Sequence, residues 1–237
     1  MTPVGRQALI GLGLAGAIVG AWLALHVWGV FFHRWSAIDV VRTPLVVALQ
    51  TWLGTGMFIV AHDAIHGSLA PGRPRVNRVV GQACVGLYAG FSLPRLAAKH
   101  HAHHRAPGTA DDPDFFAPRP TAFGPWFLSF FRRYFGWREF AVVTAVLVLY
   151  VAVFRASPFN AAVFWGLPAI LSALQLFTFG TFLPHRHEAA GFADHHRARS
   201  LKHSWLGSLL ACFHFGRHHE HHLHPSAPWW RLPSVGR

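Results

Sequence analysis

Charge is scarce in this chain, and acidic charge is scarcest. Of 237 residues, 13% are charged and 52% are hydrophobic; nine Asp and Glu face 21 Lys and Arg, a formal balance of +12. Cysteine is nearly absent. Cys84 and Cys212 are too few for a disulfide framework or an iron–sulfur cluster. No haem-attachment C-x-x-C-H, P-loop, Walker lysine or Ser/His/Asp elbow occurs. One G-x-G-x-x-G stands at Gly11–Gly16, but it lies inside an apolar run rather than between a strand and a helix, so it is no dinucleotide site. With no flavin or nicotinamide motif, any electrons the protein uses must come from another protein. Internal repeats and low-complexity segments are missing too, and one domain suffices.

What the chain does have is long apolar runs. A bilayer core about 30 Å thick needs about 20 apolar helical residues. Residues 7–32, 44–61, 137–154 and 158–183 supply four such runs. The expected fold is therefore an all-α integral membrane protein with four transmembrane helices. The first run is too long for a signal peptide and reads as a retained anchor. Residues 76–93 are too polar and too short to span, and read as a re-entrant or interfacial helix. Four spans put both termini and the central loop on one side. That side carries eighteen of the 21 Lys and Arg and seventeen of the nineteen His. The bias predicts a cytoplasmic location for it. The basic excess sits beside membrane spans, matching anionic lipid headgroups and not the basic stripe of a nucleic-acid binder. The aromatic and basic stretch 121–138 reads as interfacial, and Trp229 and Trp230 suit a membrane interface.

The histidines fall in sets. His218, His221 and His222 are spaced i, i+3, i+4, as are His100, His103 and His104; His62 and His66 are i, i+4. On a helix each set shares one face, so its imidazoles converge. Eight histidines exceed the three protein ligands of a catalytic zinc, and two metals is the simpler count. His185 is a further candidate at a helix end, with His187, His195, His196 and His203 as alternatives that spacing does not separate. His101 and His219 lie off the shared faces. Asp63, Asp111, Asp112, Asp114 and Glu220 are candidates to orient ligand imidazoles. A solvated helix end or a capped turn is an equally good reading for the aspartates. No catalytic residue is expected beyond the metal centre. A metal at the membrane surface, above an apolar bundle, suits a substrate that lives in the bilayer. Unactivated C–H bonds yield to activated oxygen, which implies iron or copper.

The three sets, in this order and around membrane hairpins, resemble the membrane di-iron fatty acid desaturase and hydroxylase superfamily. Within it, segments 62–69, 103–115, 213–223 and 228–233 resemble the bacterial β-carotene ketolases. The resemblance covers most of the chain as a single membrane domain over residues 1–237. It implies two irons held by His62, His66, His100, His103, His104, His185, His218, His221 and His222, with His185 as the extra histidine after the fourth helix. It also implies O2 as co-substrate, a ferredoxin-type electron donor, and a bacterial inner membrane location. The implied reaction is oxidation of β-carotene at C4 of the β-ionone ring to a ketone, with 3-hydroxylated rings leading toward astaxanthin. A carotenoid 3-hydroxylase or a lipid desaturase would use the same site. A membrane metal-binding or transport protein is the non-enzyme alternative, but transporters place ligands along a path within the bilayer.

Overall fold

The structure, a computed structural model, describes residues 2–235. Among them the chain is helical, with one isolated bridge between Ser200 and Arg217. Three helices are long and apolar enough to cross a bilayer: α1 (Pro3–Phe32), α2 (Asp39–Ile65) and α7 (Pro158–His185). Their starts follow from local chemistry. Pro3 needs no amide partner in a first turn, and the Thr2 hydroxyl accepts from the Gly5 amide at 3.2 Å. Asp39, buried at the start of α2, accepts from the Ser36 amide at 2.6 Å and from Arg42 Nε at 2.8 Å. The Ser157 hydroxyl caps α7 ahead of Pro158.

The third apolar run, 137–154, forms α6 (Trp137–Ala152), and α5 (Phe123–Tyr134) precedes it at a 75° bend. Alone, the 16 residues of α6 reach roughly 24 Å at 1.5 Å per residue. That is short of a bilayer core. Among the described residues, three helices are thus long and apolar enough to cross, or four if the bent pair is one span. Phe135 and Gly136, both extended, make the break, and the Gly136 amide donates to Glu139 Oε2 at 3.1 Å as α6 begins. In α5 Trp126 is buried against Phe115, Phe177 and Phe182, and two turns on Arg133 donates to the Pro113 carbonyl at 2.7 Å, while Arg132 is exposed.

α3 (Pro74–Ala89) runs antiparallel along α2. Gly81 lies against Ala64, near the histidine end, and Tyr88 lies against Gly54, two turns deeper. The chain then reverses at Gly90, whose φ of +69° only glycine adopts cheaply and whose missing side chain admits Val142. Gln82 braces the reversal, donating to the Phe91 carbonyl and accepting from the Leu93 amide, both at 3.0 Å. α4 (Leu93–Arg105) returns to the histidine end. Two short helices follow α7: α8 (Trp205–Cys212) and α9 (His218–Leu223). The tail is not an aromatic float on the membrane: Trp229 is buried against Phe213, and its amide donates to Asp63 Oδ2 at 3.1 Å. Burial of its indole against Phe213 takes Trp229 away from the expected membrane interface, while Trp230 stays partly exposed.

Candidate metal centre and the adjoining cavity

Four helix ends meet at one place. The last turn of α2 brings His62 and His66, α4 brings His100, His103 and His104, the end of α7 brings His185, and α9 brings His218, His221 and His222. The structure sorts these nine into two groups. His62, His66, His100, His104 and His221 form one, and His103, His185, His218 and His222 the other; within each, one ring nitrogen per residue lies within 4.8 Å of all the rest. Neighbouring Nε2 atoms stand 2.7 Å apart for His66–His100, 3.0 Å for His104–His221 and 3.1 Å for His218–His222. Nitrogens about 2.1 Å from a shared ion at right angles would be about 3.0 Å apart. Phe215 lies between the groups, edge-on to His62 and His218 at 4.6 and 5.0 Å.

The outward nitrogens fix two tautomers. His103 Nδ1 donates to Asp112 at 2.9 Å, and His185 Nδ1 donates to the Arg197 carbonyl at 2.7 Å. Both therefore turn Nε2 lone pairs inward. His185 Nε2 is buried with no hydrogen-bond partner. Lone pairs crowded face to face repel unless a cation sits among them, so the residues fit a pair of bound metal ions. Imidazole donors with one flanking carboxylate pair suit a transition metal and not calcium or magnesium.

Electrostatics keep most of the rings neutral. Burial lowers the pKa of His66 to about 4 and of His104 to about 2, and holds His100, His218, His221 and His222 below the ordinary value as well. His103 goes the other way. Burial opposes its charge, but the hydrogen bond it donates to Asp112 and the charges of Asp114 and Asp112 raise it. Asp112 is lowered despite burial, because His103 and the amides of Asp114 and Gly108 all donate to it. Asp114 is raised by burial and accepts from the Tyr134 hydroxyl.

The other sequence candidates are dispersed. Asp63 is buried, 3.7 Å from His62 Nδ1. Asp111 is exposed in the turn after α4, and Glu220 is held by Ser200 and Arg217. His101 and His219 stay outside both groups; His219 Nε2 instead pairs with Asp194 at 2.8 Å. His187 stacks on Phe115, and His195 and His203 are exposed. Sequence reasoning missed the Arg197 carbonyl and Phe215. Neither carries a type-specific mark, since one acts through its backbone and the other by shape.

It also missed the cavity. A pocket of about 70 Å³ touches His62, His100, His103 and His218. A larger apolar cavity of about 340 Å³ runs from it between α3, α5, α6 and α7. The two share Phe58, Leu96, Phe130, Tyr134 and Leu176 as walls. Ala162, Gly166, Ala169, Ala173 and Leu176 of α7 line the larger one at helical spacing, and Gly180 continues the stripe into the smaller. That spacing was legible, but a stripe of small residues more often marks close helix packing.

Comparison with known proteins agrees with this geometry. The fatty acid desaturase family model matches residues 40–142 and 118–237. The chain is 50% identical over 94% of its length to a β-carotene ketolase of Paracoccus sp. strain N81106, covering 90% of that protein. A second β-carotene ketolase, from Paracoccus sp. strain PC1, is 47% identical, with 96% of this chain and 92% of that one aligned. A zeaxanthin 4-ketolase of Chlamydomonas reinhardtii is 34% identical over 96% of this chain, which spans 53% of it. The chain belongs to the fatty acid desaturase family and, within it, to the β-carotene ketolases.

Proposed function

We propose that the protein is a membrane oxygenase that converts C4 of β-ionone rings to a ketone, taking β-carotene through echinenone to canthaxanthin. The single observation that carries this reading is the apolar, aromatic-walled cavity ending on two groups of histidines, in a chain half identical to a β-carotene ketolase. His62, His66, His100, His104 and His221 would hold one iron, and His103, His185, His218 and His222 the other. When bound, the irons would supply oxidising power drawn from O2 and from electrons of a ferredoxin-type donor.

The chain's own residues bind, orient and exclude water. The cavity walls hold a ring and part of its polyene, with Phe58, Phe130 and Tyr134 at the neck that decides which carbon advances to the histidines. C4 is allylic, so its C–H bond is the weak one on the ring. Two successive hydroxylations there, each consuming one O2, two electrons and two protons and releasing one water, give a geminal diol. The diol loses water to leave the ketone. Asp112 orients His103, and the Arg197 carbonyl orients His185, so that both present Nε2 inward. Rings already hydroxylated at C3 would lead toward astaxanthin.

The bent α5–α6 pair serves as the fourth crossing, and α3–α4 as a re-entrant hairpin. The histidine end then faces the cytoplasm of a bacterial inner membrane, in accord with the Lys and Arg bias. The test is pigment analysis of bacteria that accumulate β-carotene and express this chain. Echinenone and canthaxanthin are expected. Zeaxanthin would move the attack to C3, and unchanged β-carotene beside iron-loaded protein and a working electron donor would refute the substrate.

A further inference from the structure

The pocket between the cavity and the histidines carries three polar side chains besides imidazoles: Asp114, Tyr134 and Thr181. Asp114 and Tyr134 are hydrogen-bonded to each other. Thr181 is different. It is 7% exposed, and its hydroxyl is hydrogen-bonded to none of the described residues. One turn earlier, Thr178 returns its hydroxyl to the Leu174 carbonyl at 2.7 Å, as a helical threonine ordinarily does. Thr181 lies in a π-turn, Thr178–Phe182, inside α7. Such turns are rare and concentrate at functional sites. A hydroxyl that opens without a partner on a pocket walled mostly by apolar groups is placed to pair with a polar group that arrives there.

Resting on the ketolase reading, we propose that Thr181 holds the oxygen that the first hydroxylation places on C4, and so keeps the alcohol in place for the second. The first round turns an apolar carbon into an alcohol inside a pocket whose walls are mostly apolar. A buried alcohol with no partner is driven out, and the reaction would stop at the 4-hydroxy stage. A hydroxyl on the pocket wall retains it. Threonine both donates and accepts, so it serves the alcohol and then the ketone. The unmodified ring has no oxygen there and does not need Thr181. The residue therefore sets how far the oxidation runs, not whether it starts.

The experiment compares wild type with Thr181→Val, which keeps shape and removes the hydroxyl, and Thr181→Ser, which keeps the hydroxyl. Each is expressed in β-carotene-accumulating cells, with pigments quantified and iron measured on purified protein. In Thr181→Val the ratio of 4-hydroxy to 4-keto carotenoids should rise about tenfold, the scale of one lost hydrogen bond. Its iron content and total β-carotene consumption should stay near wild type, and Thr181→Ser should keep the wild-type ratio. Supplied directly to purified enzyme, a 4-hydroxylated carotenoid should show a KM raised about tenfold in Thr181→Val, with kcat little changed. An unaltered ratio in Thr181→Val, or an equal shift in Thr181→Ser, overturns the proposal. If Thr181→Val does not accumulate, Thr181→Ala carries the same two outcomes. A wild type that makes no ketone would sink the ketolase reading itself; ketone from wild type and an unmoved Thr181→Val sink only the role of Thr181.

Discussion

His185 faces Arg197 with one ring nitrogen and the cluster with the other, and the second is left without a protein partner. Replacing it with alanine should remove one of four ligands from its group, lower bound iron toward one equivalent per chain and abolish product. His219→Ala should keep both irons and the activity, because His219 pairs with Asp194 instead. Elemental analysis of the purified variants decides, and iron loss in His219→Ala would show that the two groups are wrongly drawn. The i, i+3, i+4 spacing made eight of these nine histidines legible, since a helix places such residues on one face whatever else the chain does. His185 was not separable from its neighbours by spacing, because its position depends on where α7 ends in space. Metal-free protein should also respond to pH in one direction. The buried His66 and His104 have pKa values lowered to about 4 and about 2, against 6.5 in an unfolded chain. Below pH 6.5 the unfolded state takes up protons that the folded state refuses, so stability falls as pH drops from there toward 4. His103, raised by its aspartates, offsets a part of this. Thermal unfolding of chelated protein in detergent should show a midpoint that is level above about pH 7.5 and declines below about 6.5, the ordinary histidine value. A flat profile down to pH 5 would mean these rings are not buried neutral.

At the scale of elements, the sequence revealed helix existence better than helix geometry. Long apolar runs betray α1, α2 and α7 because a membrane-crossing helix has no polar face to confuse the pattern. The α5–α6 break was invisible as an angle. It falls at Phe135 and Gly136, both extended, and the 75° bend depends on what each half packs against. The α3–α4 reversal likewise turns on Gly90, whose left-handed backbone and contact with Val142 are tertiary facts. Gly90→Ala should be costly on both counts. The left-handed conformation alone costs about 1–2 kcal/mol for a residue with a Cβ. The added carbon would also lie 2.5 Å from Val142 Cγ1. The unfolding midpoint should fall clearly, and α4 should deliver His100, His103 and His104 less well, so bound iron should fall with it. Combining it with Val142→Ala should recover the steric share and leave the backbone share. Full recovery in the double variant would show that the φ value is not a constraint.

At the scale of the whole molecule, the nine histidines and most of the cavity wall come from different helices. α2, α4, α7 and α9 hold the rings, and α3, α5, α6 and α7 supply most of the wall; Phe58 of α2 and Leu96 of α4 join it at the neck, so α7 is the main element common to both. It carries a small-residue stripe from Ala162 to Gly180 on one side and ends in His185. The stripe covers roughly 25 Å at helical rise, room for a ring and a length of extended chain. This division makes substrate access separable from metal binding. Ala173 lies midway along the stripe, twelve residues before His185 and away from every ligand. Ala173→Phe would fill the channel without touching the rings. The variant should retain wild-type iron, because no ligand or carboxylate moves, while ketone formation falls at least about tenfold, a loss of about 1.4 kcal/mol or more in transition-state access. Ala173→Gly should leave the yield near wild type, since it widens the channel. Iron assay and pigment yield on the same preparations make the comparison. Full ketone yield with phenylalanine in place would mean that the ring reaches the histidines by another route, and the cavity between α5, α6 and α7 would then be a lipid-filled gap.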